Sequence, residues 1–303
     1  MLYGLDISSW HWSPLALAGL LILCLLYALG VWRANRQPGN APIKGYHILA
    51  FVTAIGLIVL VLLTPFDTIA RTQLFAAHMV QAVVLTTLCA PLLLASCPNA
   101  FWEPVLAQPA VRTVLQTLTR PLVASIIFNA TFLLWHAPVL YNYALAHGTV
   151  YHIEMLSFLL TSLLNWWPLI GPVHEFRQLS YPMQMLYAFL DGQPVDIFAF
   201  LVVFTGVAFY THYVIPPQFI QFGYSPVADQ TVAGAFLLIP GLVDLVVMSP
   251  LFFRWLAQLE QKEKLADQQR MEEEAEAAEA AREELEVDEI DEMDAAFIEP
   301  SEA

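Results

Sequence analysis

An all-α, polytopic membrane fold is what this chain predicts, and three observations predict it. Hydrophobic residues make up 58% of the 303 residues and charged ones 13%, with a mean hydropathy of +0.60, which is not the composition of a soluble domain of this length. The apolar residues are gathered into seven stretches near the length a helix needs to cross a bilayer core. Lysine and arginine fall almost entirely on one side of those stretches.

The spans run Pro14 to Val31, His47 to Leu63, Leu74 to Ala95, Pro121 to Trp135, Val150 to Ile170, Val195 to Tyr213 and Val232 to Trp255. Each must be helical, because unpaired backbone groups in lipid cost several kcal/mol. The fourth is short and can recruit residues on either side. The sixth has an apolar neighbour, Tyr181 to Leu190, that can extend it as a tilted or re-entrant piece.

Orientation follows from the charged loops. Of twelve basic residues, only Arg71 lies in the set of segments that includes the N-terminus. Arg33, Arg36, Lys44, Arg112, Arg120, Arg177, Arg254, Lys262, Lys264, Arg270 and Arg282 lie in the other. By the positive-inside rule the N-terminus is outside and the C-terminus cytoplasmic. The first residues carry Asp6 and no basic n-region, so the first span is expected to be retained rather than cleaved. Trp10, Trp12 and Trp135 near one interface, and Trp32, Trp166, Trp167 and Trp255 near the other, read as interfacial anchors.

Two regions differ in charge. Residues 1–256, the seven-helix domain, hold eight basic and nine acidic side chains, whereas residues 257–303 hold four and eighteen. The net charge of −15 is therefore almost all in the tail, and neither region offers a basic surface for nucleic acid. From Gln258 to Glu286 the tail favours a solvated helix, followed by residues expected to be disordered through Pro300. Cys24, Cys89 and Cys97 have neither CxxC nor zinc-finger spacing and read as small buried residues.

The histidines carry the functional signal. Six of the eight, His11, His78, His136, His147, His152 and His212, fall on the outer side of the spans, with His47 and His174 on the other. Imidazole is the commonest transition-metal ligand, so this one-sided crowd at membrane depth marks a site. His11 and His147 read as interface residues hydrogen-bonded to water and backbone. His78 opens span three beside Met79, His136 closes span four, His152 opens span five with Met155 one turn on, and His212 closes span six. Nitrogen and thioether donors together suit copper, Cu(I) above all. Glu154 and Asp229 are placed to support those ligands or carry protons. Spacing alone leaves scattered structural histidines as the alternative, since it does not make these spans neighbours.

Other chemistries lack their parts. There is no GxSxG, HExxH, Walker loop or GxGxxG opening a helix, so the chain does not read as an enzyme of those classes. No span contains a lysine, which removes a retinal-type Schiff base.

Three segments carry a resemblance: LFAAHMVQAVVLTTLCAPLLLASCP (74–98), FNATFLLWHAPVLYNYALAHGTVYHIEMLSFLLTSLLNWWPLIGP (128–172) and SPVADQTVAGAFLLIPG (225–241). In order and spacing they resemble the CtaG family of polytopic cytochrome c oxidase assembly factors associated with caa-type oxidases, over roughly residues 45–256. The resemblance implies seven spans in a bacterial plasma (inner) membrane, oxidase subunits as partners, and copper as the delivered metal. By motif it points to His78 and Met79, to Trp135, His136, Pro138 and Tyr141, to His152 and Glu154, and to Asp229, Gln230 and Gly234. Many members carry histidine where this chain has Ala82 and Met155. The first difference removes a ligand and the second exchanges one copper ligand type for another.

The expected protein is an assembly factor for a haem-copper oxidase that holds copper at the outer face and releases it by ligand exchange, without covalent catalysis. Two alternatives stay open. A haem-binding or accessory oxidase subunit would carry pigment. A copper or small-solute transporter would show polar or broken segments at mid-membrane, for which Asn129, Asn165 and Asp244 are the candidates.

Overall fold

The computed structural model describes Leu5, Trp10 and residues 14–36, 43–176, 179–210 and 212–297. The described residues form helices and connecting segments without strands. In chain order the helices are α1 (Pro14–Arg36), α2 (Gly45–Leu62), α3 (Pro65–Thr72), α4 (Phe75–Val83), α5 (Ala90–Ser96), α6 (Glu103–Leu106), α7 (Pro109–Leu118), α8 (Pro121–Trp135), α9 (Pro138–Ala146), α10 (Gly148–Ile170), α11 (Tyr181–Phe204), α12 (Pro217–Gln221), α13 (Pro226–Leu237) and α14 (Ile239–Phe297). A π-helical segment, Val84–Cys89, joins α4 to α5.

Among the described residues, six stretches are long and apolar enough to cross a membrane: Ala16–Arg36, Gly45–Leu62, Phe75–Ser96, Gly148–Ile170, Tyr181–Phe204 and Pro226–Arg282. A seventh exists if α7 and α8, bent by 70°, count as one span. Pro121 at the start of α8 makes that break, since proline is tolerated in a helix's first turn but not inside it. The short fourth span thus recruits the residues before it. Leu122, Val139 and Phe204, at 73%, 88% and 76% exposure, belong to the lipid-facing surface of such a bundle.

Two expected boundaries move. The sixth span is one helix from Tyr181 that stops at Phe204 and does not reach Tyr213. Gly206 at φ +58°, open to glycine at no steric cost, lies just beyond its end. The seventh is divided between α13 and α14 next to Pro240 and Gly241.

The chain divides into two units. In residues 1–249, buried side chains of α2, α4, α8, α10, α11 and α13 form one apolar cluster that includes Phe51, Ile58, Phe75, Leu85, Phe132, Phe158, Val202 and Leu237. Gly234 allows α13 and α11 to touch there, because a Cβ at that position would lie 2.7 Å from Val203 Cγ2 and 2.9 Å from the Ala199 carbonyl. The second unit, Pro250–Ala303, holds the remainder of α14. Its side chains from Leu256 to Arg282 are all exposed.

Candidate metal centre

Three helix ends meet at the candidate site. Asp229, in the first turn of α13, accepts from the Phe75 amide (2.6 Å) and the Ala76 amide (3.3 Å), so a carboxylate caps the N-terminus of α4 from a distant part of the chain. Tyr224 donates to the same carboxylate at 3.0 Å, and burial, followed by the Asp229 charge, raises its hydroxyl pKa. His78 follows on α4 within one turn. His136 is the residue after α8, where Pro138 opens α9. Its carbonyl accepts from the Tyr210 hydroxyl at 2.7 Å. Glu154 lies on the face of α10 that also carries Tyr151, Met155 and Phe158, at the helical spacing of three, four and seven residues.

The side chains of His78, His136 and Glu154 converge. One ligand atom from each lies within 4.8 Å of the others, and His78 Nε2 is 3.6 Å from Glu154 Oε1. His136 Nδ1 sits 2.7 Å from the Phe132 carbonyl. A carbonyl only accepts, so Nδ1 carries the proton and Nε2 the lone pair. His78 Nδ1 is 3.1 Å from the Tyr151 hydroxyl. The three residues are 0%, 2% and 0% exposed. Yet His78 Nε2, His136 Nε2 and both Glu154 carboxylate oxygens have no hydrogen-bond partner among the described residues.

Buried polar atoms are nearly always paired, and each orphan costs about 1–3 kcal/mol. Here three side chains that carry such atoms converge, one ligand atom from each lying within 4.8 Å of the others. Two imidazole nitrogens and a carboxylate are the ligand types of a transition-metal ion, and they come from three separate helices. Around them stands an aromatic wall. The Phe158 ring stacks on His136 (5.6 Å between centroids, 2° between planes), and Tyr141 meets His78 edge-on at 4.8 Å. Tyr141 is hydrogen-bonded to Tyr213, which with Phe75 and Tyr210 closes the same side. A small cleft lined by Phe75, Tyr210, Tyr213, Asp229 and Gln230 adjoins this wall.

The expected ligands divide. His78 and His136 meet, while His152 and His212 are elsewhere. His152 Nδ1 donates to the Gly148 carbonyl (2.7 Å) and its Nε2 lies 3.5 Å from Asp67 Oδ2. The reason is helical phase: Tyr151, Glu154 and Met155 share the buried face of α10, and His152 sits at its edge. The sequence places His212 at a helix end, but α11 stops at Phe204, and beyond it His212 and Val214 are exposed while Tyr213 is partly buried and Ile215 buried. Met79 and Met155 are fully buried within the apolar cluster. Glu154, expected as a supporting residue, is a member of the trio, and Asp229 is a helix cap.

Among the other histidines, His147 is exposed with Nδ1 on the Tyr143 carbonyl, and His47 accepts from the Lys44 amide. His11, Trp12 and the His174 side chain lie outside the described residues. Gln230 secures the segment before Tyr210, accepting from the Phe209 amide and donating to the Val207 carbonyl. Sequence reasoning passed over Tyr151, Gln81 and Asp67. The buried spacing of Tyr151 with Glu154 was its only available signal.

A second polar region lies deeper in the same unit. Asn129 is seven residues before His136, about 10 Å along a helix, and Asn165 is eleven after Glu154, about 16 Å. Asn129 and Asn165 donate to opposite oxygens of Asp191, at 3.0 and 2.5 Å, and Tyr187 donates to Asn165 Oδ1 at 2.7 Å. Asp191, Asp196 and Asp244 line a cavity there with Thr86, Thr87 and Trp166. Beside it the π-helical turn releases the Thr86 carbonyl, which accepts from Ser162 Oγ (2.7 Å) and Trp166 Nε1 (2.8 Å).

Residues 25–258 match the model of the cytochrome c oxidase caa3 assembly factor family, Caa3_CtaG. No curated protein and no solved structure gives a significant match. The family match spans most of the chain and covers all three converging side chains, so the chain belongs to this family of cytochrome c oxidase assembly factors.

Proposed function

We propose that this assembly factor holds a copper ion between His78, His136 and Glu154 while a haem-copper oxidase acquires its metal. The observation that carries the reading is the convergence of three buried side chains whose outward polar atoms lack partners among the described residues. Imidazole nitrogen suits copper, and one carboxylate offsets cationic charge that the aromatic wall would otherwise leave unpaired. Met79 and Met155, each beside one of the three donors in sequence, add soft thioethers to the surrounding core. Copper is cargo here. Three protein donors leave a position open for a ligand from the receiving oxidase subunit, and transfer is an exchange of ligands with no covalent catalysis.

The site is assigned to the outer face of a bacterial plasma membrane. Support comes from the charge asymmetry, in which Arg71 alone falls among the segments on the histidine side. Cysteine placed at Ser225, in a background lacking the native cysteines, should react with an impermeant thiol reagent in intact cells, and cysteine at Ser180 should not. Labelling at 180 alone inverts the orientation.

The metal reading is tested by loading purified protein with copper, removing the excess and counting bound metal. Wild type should retain copper, His78→Ala, His136→Ala and Glu154→Ala should lose it, and His212→Ala should keep it. Equal retention by wild type and His78→Ala overturns the site.

The cavity supports a second reading, transport. Asp191, Asp196 and Asp244, with Asn129 and Asn165 nearby, put polar groups and a helix break between α13 and α14 at mid-span. Proton or copper flux in proteoliposomes, abolished by Asp191→Asn, would favour it. Copper retention without flux would not.

A further inference from the structure

Buried hydrogen bonds around Gln81 determine which nitrogen of His78 is bare. Gln81 Nε2 donates to the Val61 carbonyl at 2.5 Å and to Asp67 Oδ1 at 3.1 Å. The opposite orientation would set the amide oxygen against those two acceptors, so the NH2 group is fixed on this side. The other Asp67 oxygen lies 3.5 Å from His152 Nε2. Gln81 Oε1 is therefore left for Tyr151, whose hydroxyl donates to it. That uses the only proton Tyr151 has. At the 3.1 Å contact with His78 the tyrosine oxygen must accept, and His78 Nδ1 must carry the hydrogen. In the neutral ring the lone pair is then on Nε2, the atom that faces Glu154 and His136.

We propose that Gln81 and Tyr151 are positioning residues that lock His78 in its Nδ1–H tautomer and so present Nε2 as a ligand. The inference rests on the metal reading of the trio for its purpose, though not for its geometry. Metal-bound histidines commonly depend on the hydrogen bond made by their other nitrogen. Here that bond is the end of a series running from the Val61 carbonyl on α2 through α4 to α10. Gln81 and Tyr151 are fully buried, so water does not substitute for a missing member.

Two variants separate positioning from packing. Tyr151→Phe keeps the ring and removes the hydroxyl. Gln81→Met keeps the length and removes the acceptor, together with the amide donors to Val61 and Asp67, which frees the Tyr151 proton to turn toward His78 Nδ1 and reverse the tautomer. Nitrogen-15 NMR of the metal-free, full-length protein labelled at histidine reads the tautomer directly. Wild type should show His78 protonated at Nδ1, and Gln81→Met should show it at Nε2. Each variant should bind copper about 10–100-fold more weakly. The double variant should bind copper no more weakly than Tyr151→Phe, because Gln81 reaches His78 only through Tyr151. His78 protonated at Nε2 in wild type overturns the proposal, as do losses that add in the double variant. Wild-type copper binding by Tyr151→Phe, with His78→Ala abolishing it, also overturns the proposal and leaves the metal centre standing. A wild-type protein that binds no copper but shows the Nδ1–H tautomer removes the metal reading and leaves the lock in place.

Discussion

Two polar regions are buried in one bundle, and they are solved in opposite ways. Around Asp191, the carboxylate takes amide protons from Asn129 and Asn165, and Tyr187 donates to Asn165 in turn, which leaves Asn129 Oδ1 as the one unpartnered oxygen of those three side chains among the described residues. At the histidine trio, His78 Nε2, His136 Nε2 and both Glu154 oxygens are buried and make no hydrogen bond among the described residues. A satisfied network contributes stability by itself. An unsatisfied one costs stability.

The contrast is most sharply tested by apolar replacement. Glu154→Met should abolish copper retention altogether. The same change should leave the metal-free protein as stable as wild type or up to about 3 kcal/mol more stable, because it removes unpaired polar atoms at similar volume. Asp191→Leu should do the reverse, keeping copper while losing about 2–5 kcal/mol as two buried amides lose their acceptor. Denaturation in detergent together with metal analysis reads both quantities. Marked destabilisation by Glu154→Met would show that the trio is internally satisfied and needs no guest.

A smaller effect is expected one step removed from the trio. Asp229→Ala uncaps α4 and should cost about 1 kcal/mol while weakening copper binding modestly, since His78 is displaced rather than removed. Asp229→Asn, which still accepts from an amide, should recover most of the loss. Identical losses in both variants would mean that the charge matters rather than the cap. Smallest of all, truncation after Lys264 should leave insertion, copper retention and oxidase assembly near wild type, because the side chains it removes through Arg282 are exposed. Loss of oxidase activity at normal protein level would give the tail a docking role.

Much of this organisation was legible in the residues. The spans follow from apolar runs of bilayer length, and those runs also put His78 and His136 at span ends. What was not legible was direction. His152 and Tyr151 are adjacent, and only the packing of α10 decides that the tyrosine faces the trio while the histidine faces Asp67. His212 was misplaced because an apolar run cannot show where a helix gives way to extended chain. Glu154 was undervalued for a different reason: its partners come from α4 and α8, and no spacing in the chain joins three helices.

The π-helical turn at Val84–Cys89 has a meaning for sequence insertions and deletions. Such a turn amounts to one extra residue in an α-helix, and one residue is about 100° of rotation. The half of the span that carries His78 and Gln81 is thus set out of phase with the half that carries Pro91 and Leu94. Deleting a single residue within Val84–Cys89 would yield a more regular helix, equally apolar and scarcely shorter. It would also swing His78 away from its two partners, so the most conventional-looking version of this span would be the one that cannot build the site.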